Sequence, residues 1–162
     1  MSSIKAKLKL MPDKNTEKSP ELLFSTAEEK EIILAIGEAE NLTSGEIRLH
    51  ISREADKDAL EKTKAVFNEL RMHQTKERNA VLIHLSLGSR SFAIYGDEGI
   101  NQKVEENFWE KTKDKMQEFF IKGQMKEGLI NGILDVGERL KKHFPYQSDD
   151  RNELPDEISY GE

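Results

Sequence analysis

Apolar residues recur along this chain in two rhythms, three to four residues apart in some stretches and every second residue in others. In "FSTAEEKEIILAIGEAE" the side chains of Ile32, Ile33, Ile36 and Ala39 fall at helical spacing. Ser25 or Thr26 stands as N-cap, with Glu28 or Glu29 three residues on. In that pattern a hydroxyl and a carboxylate satisfy exposed amide donors reciprocally. The helix ends near "NLTSG". "GEIRLHIS" then alternates, with Ile47, Leu49 and Ile51 on one face and Glu46, Arg48 and His50 on the other. Period two predicts a strand with one apolar face. "READKD" turns the chain into a second helix that carries Leu60, Thr63, Phe67 and Leu70 along one side.

After the polar connection "MHQTKERN", the nearly unbroken apolar run "AVLIHLSL" predicts a central strand covered on both faces. "GSR" is a short turn and "SFAIYG" a third strand. A third helix is expected from about Asn101, with Val104, Phe108, Met116, Phe119 and Phe120 near one stripe. "KGQ" breaks it at Gly123. A fourth helix runs from about Met125 to Phe144 with Leu129, Ile133, Val136 and Leu140 inward. The order α-β-α-β-β-α-α implies a right-handed crossover between parallel strands, followed by an antiparallel hairpin. The predicted fold is therefore α/β: a three-layer α/β/α sandwich with a mixed β-sheet.

The 162 residues suit one domain with a real core. We divide the chain into a flexible arm (1–22), the domain (23–146) and an acidic tail (147–162). The net charge of −6 is unevenly spread. Residues 1–18 hold five Lys against Asp13 and Glu17, whereas residues 147–162 hold six carboxylates against Arg151. An acidic body lacks the basic face that neutralises phosphates, which argues against nucleic-acid binding. The basic start reads as a solvated segment or as a contact for an anionic surface. In the tail, Leu154, Ile158 and Tyr160 are candidate apolar contacts for a protein partner. No cysteine is present, so there is no disulfide and no thiolate chemistry. No apolar run approaches the roughly 18 residues of a membrane span. The start also lacks the apolar centre of a signal peptide. The expectation is a soluble, cytoplasmic protein.

Topology brings polar groups together. The third strand runs opposite to the first two, so its end lies beside their starts. Glu46, Asp97 and Glu98 are expected to gather there, with Arg78 nearby. Such hard oxygen ligands suit calcium or magnesium. At the opposite end Glu54, Asp56 and Asp58 face the turn carrying Arg90. The acidic turn also has a purely structural reading: Gly96 and Gly99 permit the bend, and carboxylates favour a helix start. His84, in the central strand, is expected to be buried and hydrogen-bonded. His50 belongs to the less apolar face, His73 to a loop and His143 to a helix end. No two histidines have zinc-ligand spacing. Trp109 reads as a core residue. EF-hand, Walker A, HExxH and GxSxG patterns are all absent.

Three stretches together resemble the TPM domain family: "FSTAEEKEIILAIGEAENLTSGEIRLHI", "RNAVLIHLSLGSRSFAIYGDEGIN" and "FFIKGQMKEGLINGILDVGERL". The resemblance covers roughly residues 24–145 and is closest to small stand-alone bacterial members. Gly45, Asn79, Arg90, Gly96, Glu127 and Gly128 match the family pattern. "MHQTKER" replaces a Trp-Gly-x-Gly type loop, Ala80 a usual glycine, and Gln124 a frequent acidic residue. The resemblance implies an α/β sandwich and divalent-ion binding. Some relatives are credited with acid phosphatase activity in the thylakoid lumen, and others are membrane-tethered or auxiliary receptor subunits. Three functions follow as expectations. The first is a divalent-cation module, with calcium the expected ion, that holds it on Glu46, Asp97 and Glu98 and acts through a protein partner. The second is a metal-dependent, acid-phosphatase-like hydrolase in which Arg78 and Arg90 take phosphate oxygens. The third is an interaction module with no ligand.

Overall fold

The computed structural model describes residues 4–7, 23–53, 59–146 and 157–161. Its elements are β1 (Ile4–Lys7), α1 (Thr26–Glu40), β2 (Glu46–Ser52), α2 (Ala59–Glu69), β3 (Ala80–Ser86), β4 (Ser91–Gly96), α3 (Glu98–Asn101), α4 (Glu110–Ile121), α5 (Met125–Lys141) and β5 (Ser159–Gly161). The strands form one mixed sheet in the order β1-β4-β3-β2-β5. β2 and β3 are parallel, with Glu46 opposite Ala80. β3 and β4 are antiparallel, with Val81 opposite Gly96 and Ser86 opposite Ser91.

Strand alternation builds two layers of core on the two faces. Ile47, Leu49 and Ile51 join Val81, Ile83, Leu85, Phe92 and Ile94 in the larger one, under α1, α4 and α5. Ala80 and Leu82 point the other way and meet Val66, Phe67 and Met72 from α2 and its end. Every residue of β3 is buried, as its continuous apolar run requires. The architecture is the expected three-layer sandwich.

The helix ends follow local chemistry. Ser25 caps α1: its hydroxyl accepts from the Glu28 N–H at 3.1 Å, and the Glu28 carboxylate accepts from the Ser25 N–H at 3.0 Å. α4 stops at Gly123, whose φ of 78° is the left-handed turn that lets the Gln124 N–H return to the Phe119 carbonyl. At the end of α2 the same turn is made by Arg71, with φ 55°. There the Met72 N–H reaches the Phe67 carbonyl and both side chains enter the smaller core.

Two features depart from the sequence reading. The expected third helix is split into α3 and α4. Between them short backbone bonds run from Phe108 to Glu105 and from Glu110 to Asn107, three residues back instead of four. This tighter path brings the adjacent rings of Phe108 and Trp109 into edge contact at 4.5 Å, both against the main core. Trp109 is buried, and its Nε1–H has no hydrogen-bond partner among the described residues. The second departure concerns the sheet edges. β1 lies within the stretch assigned to the arm and pairs with β4; β5 lies within the tail and pairs with β2. Each occupies an edge whose amides and carbonyls would otherwise be open. Ile158 and Tyr160, expected to meet a partner, pack on the chain's own core. Leu154 lies outside the described residues.

α1 and α5 pack closely at Gly137, where a Cβ would stand 2.8 Å from the Ala39 Cβ and 2.9 Å from its Cα and carbonyl oxygen. Backbone cannot rotate away as a side chain can. Gly137→Ala is therefore expected to destabilise the chain by about 1–3 kcal/mol in urea unfolding, although alanine is the better helix former by about 1 kcal/mol.

Candidate functional site

The sheet end that holds the starts of β2 and β3 and the end of β4 collects most of the singled-out polar residues. Arg78 precedes β3 by two positions and adopts a left-handed backbone, with φ 53°. That conformation costs on the order of 1 kcal/mol for a residue bearing a Cβ. It aims the guanidinium across the sheet end onto Asp97. Nε donates to Oδ2 at 2.8 Å and Nη2 to Oδ1 at 2.9 Å, a bidentate grip. Nη1 donates to Glu98 at 3.1 Å. The hydrogen bond to Asp97 raises the Arg78 pKa above its ordinary value, with burial opposing.

Asp97 is buried, whereas Glu98 is mostly exposed. Asp97 also begins α3: Oδ1 accepts the Glu98 N–H at 2.8 Å. Its own N–H donates to the Ala80 carbonyl at 3.0 Å, which closes the hairpin. Gly99 is needed here because a Cβ would stand 2.1 Å from the Glu77 carbonyl oxygen. Its N–H donates to the Arg78 carbonyl at 2.9 Å. The glycine turn therefore serves as a backbone bend and places Asp97 on Arg78.

Beside this pair lies a second group that the sequence reading did not assemble. The Ser44 hydroxyl donates to Glu77 Oε2 at 2.9 Å, and Asn79 Nδ2 donates to the same carboxylate oxygen at 3.3 Å. Asn79 is buried, and its Oδ1 has no hydrogen-bond partner among the described residues. Glu46 stands opposite Ala80 and is also buried. So Glu46, Asp97 and Glu98 share the sheet end, as topology requires, but Asp97 and Glu98 are held by a guanidinium. Among the described residues, no group of three or more His, Cys, Asp or Glu side chains is arranged to hold a metal ion.

Arg90 lies elsewhere. It sits in the β3–β4 turn with φ 50°, just before the Ser86–Ser91 pair. The length of β3, about 20 Å at the usual rise, separates it from Arg78. The fold therefore does not bring the two arginines into one phosphate cradle. Glu54, Asp56 and Asp58 lie outside the described residues.

His84 is buried as expected, and His50 is buried beside it. The two residues are register partners on β2 and β3, and their rings stack at 5.4 Å with planes 14° apart. The sequence does carry the signal for this pair. Histidine is the fifth residue of both "EIRLHIS" and "AVLIHLS", and parallel pairing of those strands aligns them. His50 Nδ1 is 2.8 Å from the Ser159 hydroxyl of β5.

A family model described as TPM domain matches residues 19–139. Among solved structures, the chain is similar to the BA42 protein of the psychrophilic bacterium Bizionia argentinensis. The two are 42% identical, with 87% of this chain and 97% of that one covered, at a TM-score of 0.82. It also shares its fold with the N-terminal domain of a P. gingivalis protein, at 18% identity and a TM-score of 0.58, over 88% of this chain and 97% of that one. No curated protein matches. Among the described residues, no helix is long and apolar enough to cross a membrane.

Substitution at Arg78 separates the two energies combined there. Arg78→Ala keeps the backbone strain and removes the grip on buried Asp97, and is expected to cost about 1–3 kcal/mol in urea unfolding. Arg78→Gly also removes the grip but relieves the left-handed strain. It should be more stable than Arg78→Ala by about 1 kcal/mol.

Proposed function

The chain belongs to the TPM domain family, and from that premise we propose that it is a divalent-cation-binding module, selective for calcium, that presents its ion-bound surface to a protein partner. The observation that carries this reading is the buried Asn79 Oδ1, which has no hydrogen-bond partner among the described residues, on an amide whose Nδ2 donates to both Glu77 and Ser44; turning that amide over sets its oxygen among the same groups. An amide oxygen, a carboxylate and the Ser44 hydroxyl form a hard-oxygen set of the kind calcium accepts. Glu46, Glu77, Asp97 and Glu98 outnumber Lys76 and Arg78 at this end, which favours a cation.

In this reading Arg78 is the resident counter-ion. It holds Asp97 in place, and the added cation settles on Glu77, Asn79 and Ser44, with exposed Glu98 at its rim. Neutralising these carboxylates alters the charge of the surface next to α3 and stiffens the 73–79 connection, which is how ion binding reaches a partner. Hydrolysis draws less support, because the Arg78 fork is already occupied by two carboxylates and Arg90 stands at the far end of the hairpin.

Titration of the ¹⁵N-labelled chain with calcium, then magnesium, tests the proposal. Saturable shifts are expected at Ser44, Glu77, Asn79 and Glu98, tighter for calcium, with affinity falling at least tenfold in Glu77→Gln. Shifts confined to 147–162, or shifts that never saturate, would overturn it.

A further inference from the structure

The opposite half of β2 carries a separate feature. We propose that its outer edge is a strand-acceptor groove that reads an extended peptide of the pattern apolar, hydroxyl, aromatic, glycine, and that the chain's own residues 158–161 are its resident occupant. β5 lies parallel to β2, with Ser159, Tyr160 and Gly161 opposite His50, Ile51 and Ser52. Main-chain bonds of this kind supply affinity for any extended segment, and the side-chain environments supply selectivity.

Four consecutive residues meet four different environments here. Ile158 is buried in the main core. The Ser159 hydroxyl lies 2.8 Å from His50 Nδ1. Tyr160 faces the main core, and its hydroxyl donates to the Glu29 carboxylate on α1. Gly161 lies against the imidazole, and a Cβ there would stand 2.6 Å from His50 Nε2 and 3.1 Å from Cε1. His50 has little room to yield, because its ring is stacked on the fully buried His84. The last position is therefore restricted to glycine by a backed wall.

The readers and the occupant come from different parts of the chain. Glu29, His50 and His84 lie within the stretch that matches the family, 19–139, and the occupant lies beyond it. A tethered segment acts at an effective concentration in the millimolar range, so the resident strand shields the groove from outside peptides until it is displaced.

Full-length Gly161→Ala provides the displacement, and fluorescein-labelled peptide of sequence EISYG is the probe. In the wild-type chain, the amides of 159–161 should be protected from hydrogen exchange and micromolar peptide should not bind. In Gly161→Ala those amides should exchange at least tenfold faster, with the rest of the sheet unchanged, and the peptide should bind saturably. A peptide ending in alanine should fail to bind. Adding His50→Ala to Gly161→Ala opens space and should return protection to 159–161. Ser159→Pro, which removes the hydroxyl beside His50 Nδ1 and fixes the backbone angle, should also admit the peptide by a different route. Unchanged protection in Gly161→Ala, or binding that ignores the final residue, would overturn the proposal. Wild-type dimerisation with rising concentration and no peptide uptake would also overturn it, and would give the groove to a neighbouring copy's tail.

Discussion

Strand β3 is bonded on both edges and buried on both faces, and the rest of the domain is arranged to satisfy it. Its backbone groups need neighbours on two sides, which β2 and β4 supply in opposite senses. Its side chains need cover above and below, which sets α1, α4 and α5 on one face and α2 on the other. A strand of this kind fixes where both ends of the sheet lie. The ion pair of Arg78 and Asp97 stands at one of those ends, and the stacked histidines lie within the sheet toward the other.

The ion pair at the first end shows how backbone and charge cooperate. A left-handed arginine is locally unfavourable, yet it is the conformation that turns the guanidinium onto Asp97 while the Arg78 carbonyl receives the Gly99 N–H. Asp97 is simultaneously a helix cap, a hairpin closure and half of a salt bridge. The hairpin closure uses the main-chain N–H, and few side chains could meet the other two demands, since a carboxylate is needed for the guanidinium and a short one for the cap.

Much of this architecture was legible in the chain. The strict alternation of "GEIRLHIS" placed Ile47, Leu49 and Ile51 on one face, and the unbroken "AVLIHLSL" marked the central strand. The capping residues and Gly123 marked helix ends. The edge strands were not legible, because three or four residues carry no period and their conformation is decided by the edge they meet. The break before Glu110 was hidden because Val104 and Phe108 reach the core along either path. At the site, topology brought Glu46, Asp97 and Glu98 to one end and set Arg78 near them. What it could not show is that Arg78 would take Asp97 and Glu98 as its own partners, because that depends on a backbone angle sequence usually reserves for glycine. The bond between Ser44 and Glu77 joins residues 33 positions apart and leaves no local trace.

The two cores are unequal, and the single tryptophan sits in only one of them. α2 is held by a small cluster, which places it among the parts of the fold that open most readily and without global unfolding. Such an opening would pass unseen by the intrinsic fluorescence of Trp109, whose surroundings belong to the other face of the sheet. Tyr95, in edge contact with Phe67 beneath α2, is the chromophore that would register it. With Tyr146 and Tyr160 replaced by phenylalanine, emission from Trp109 and Tyr95 separates the looser layer from the firmer one without a label.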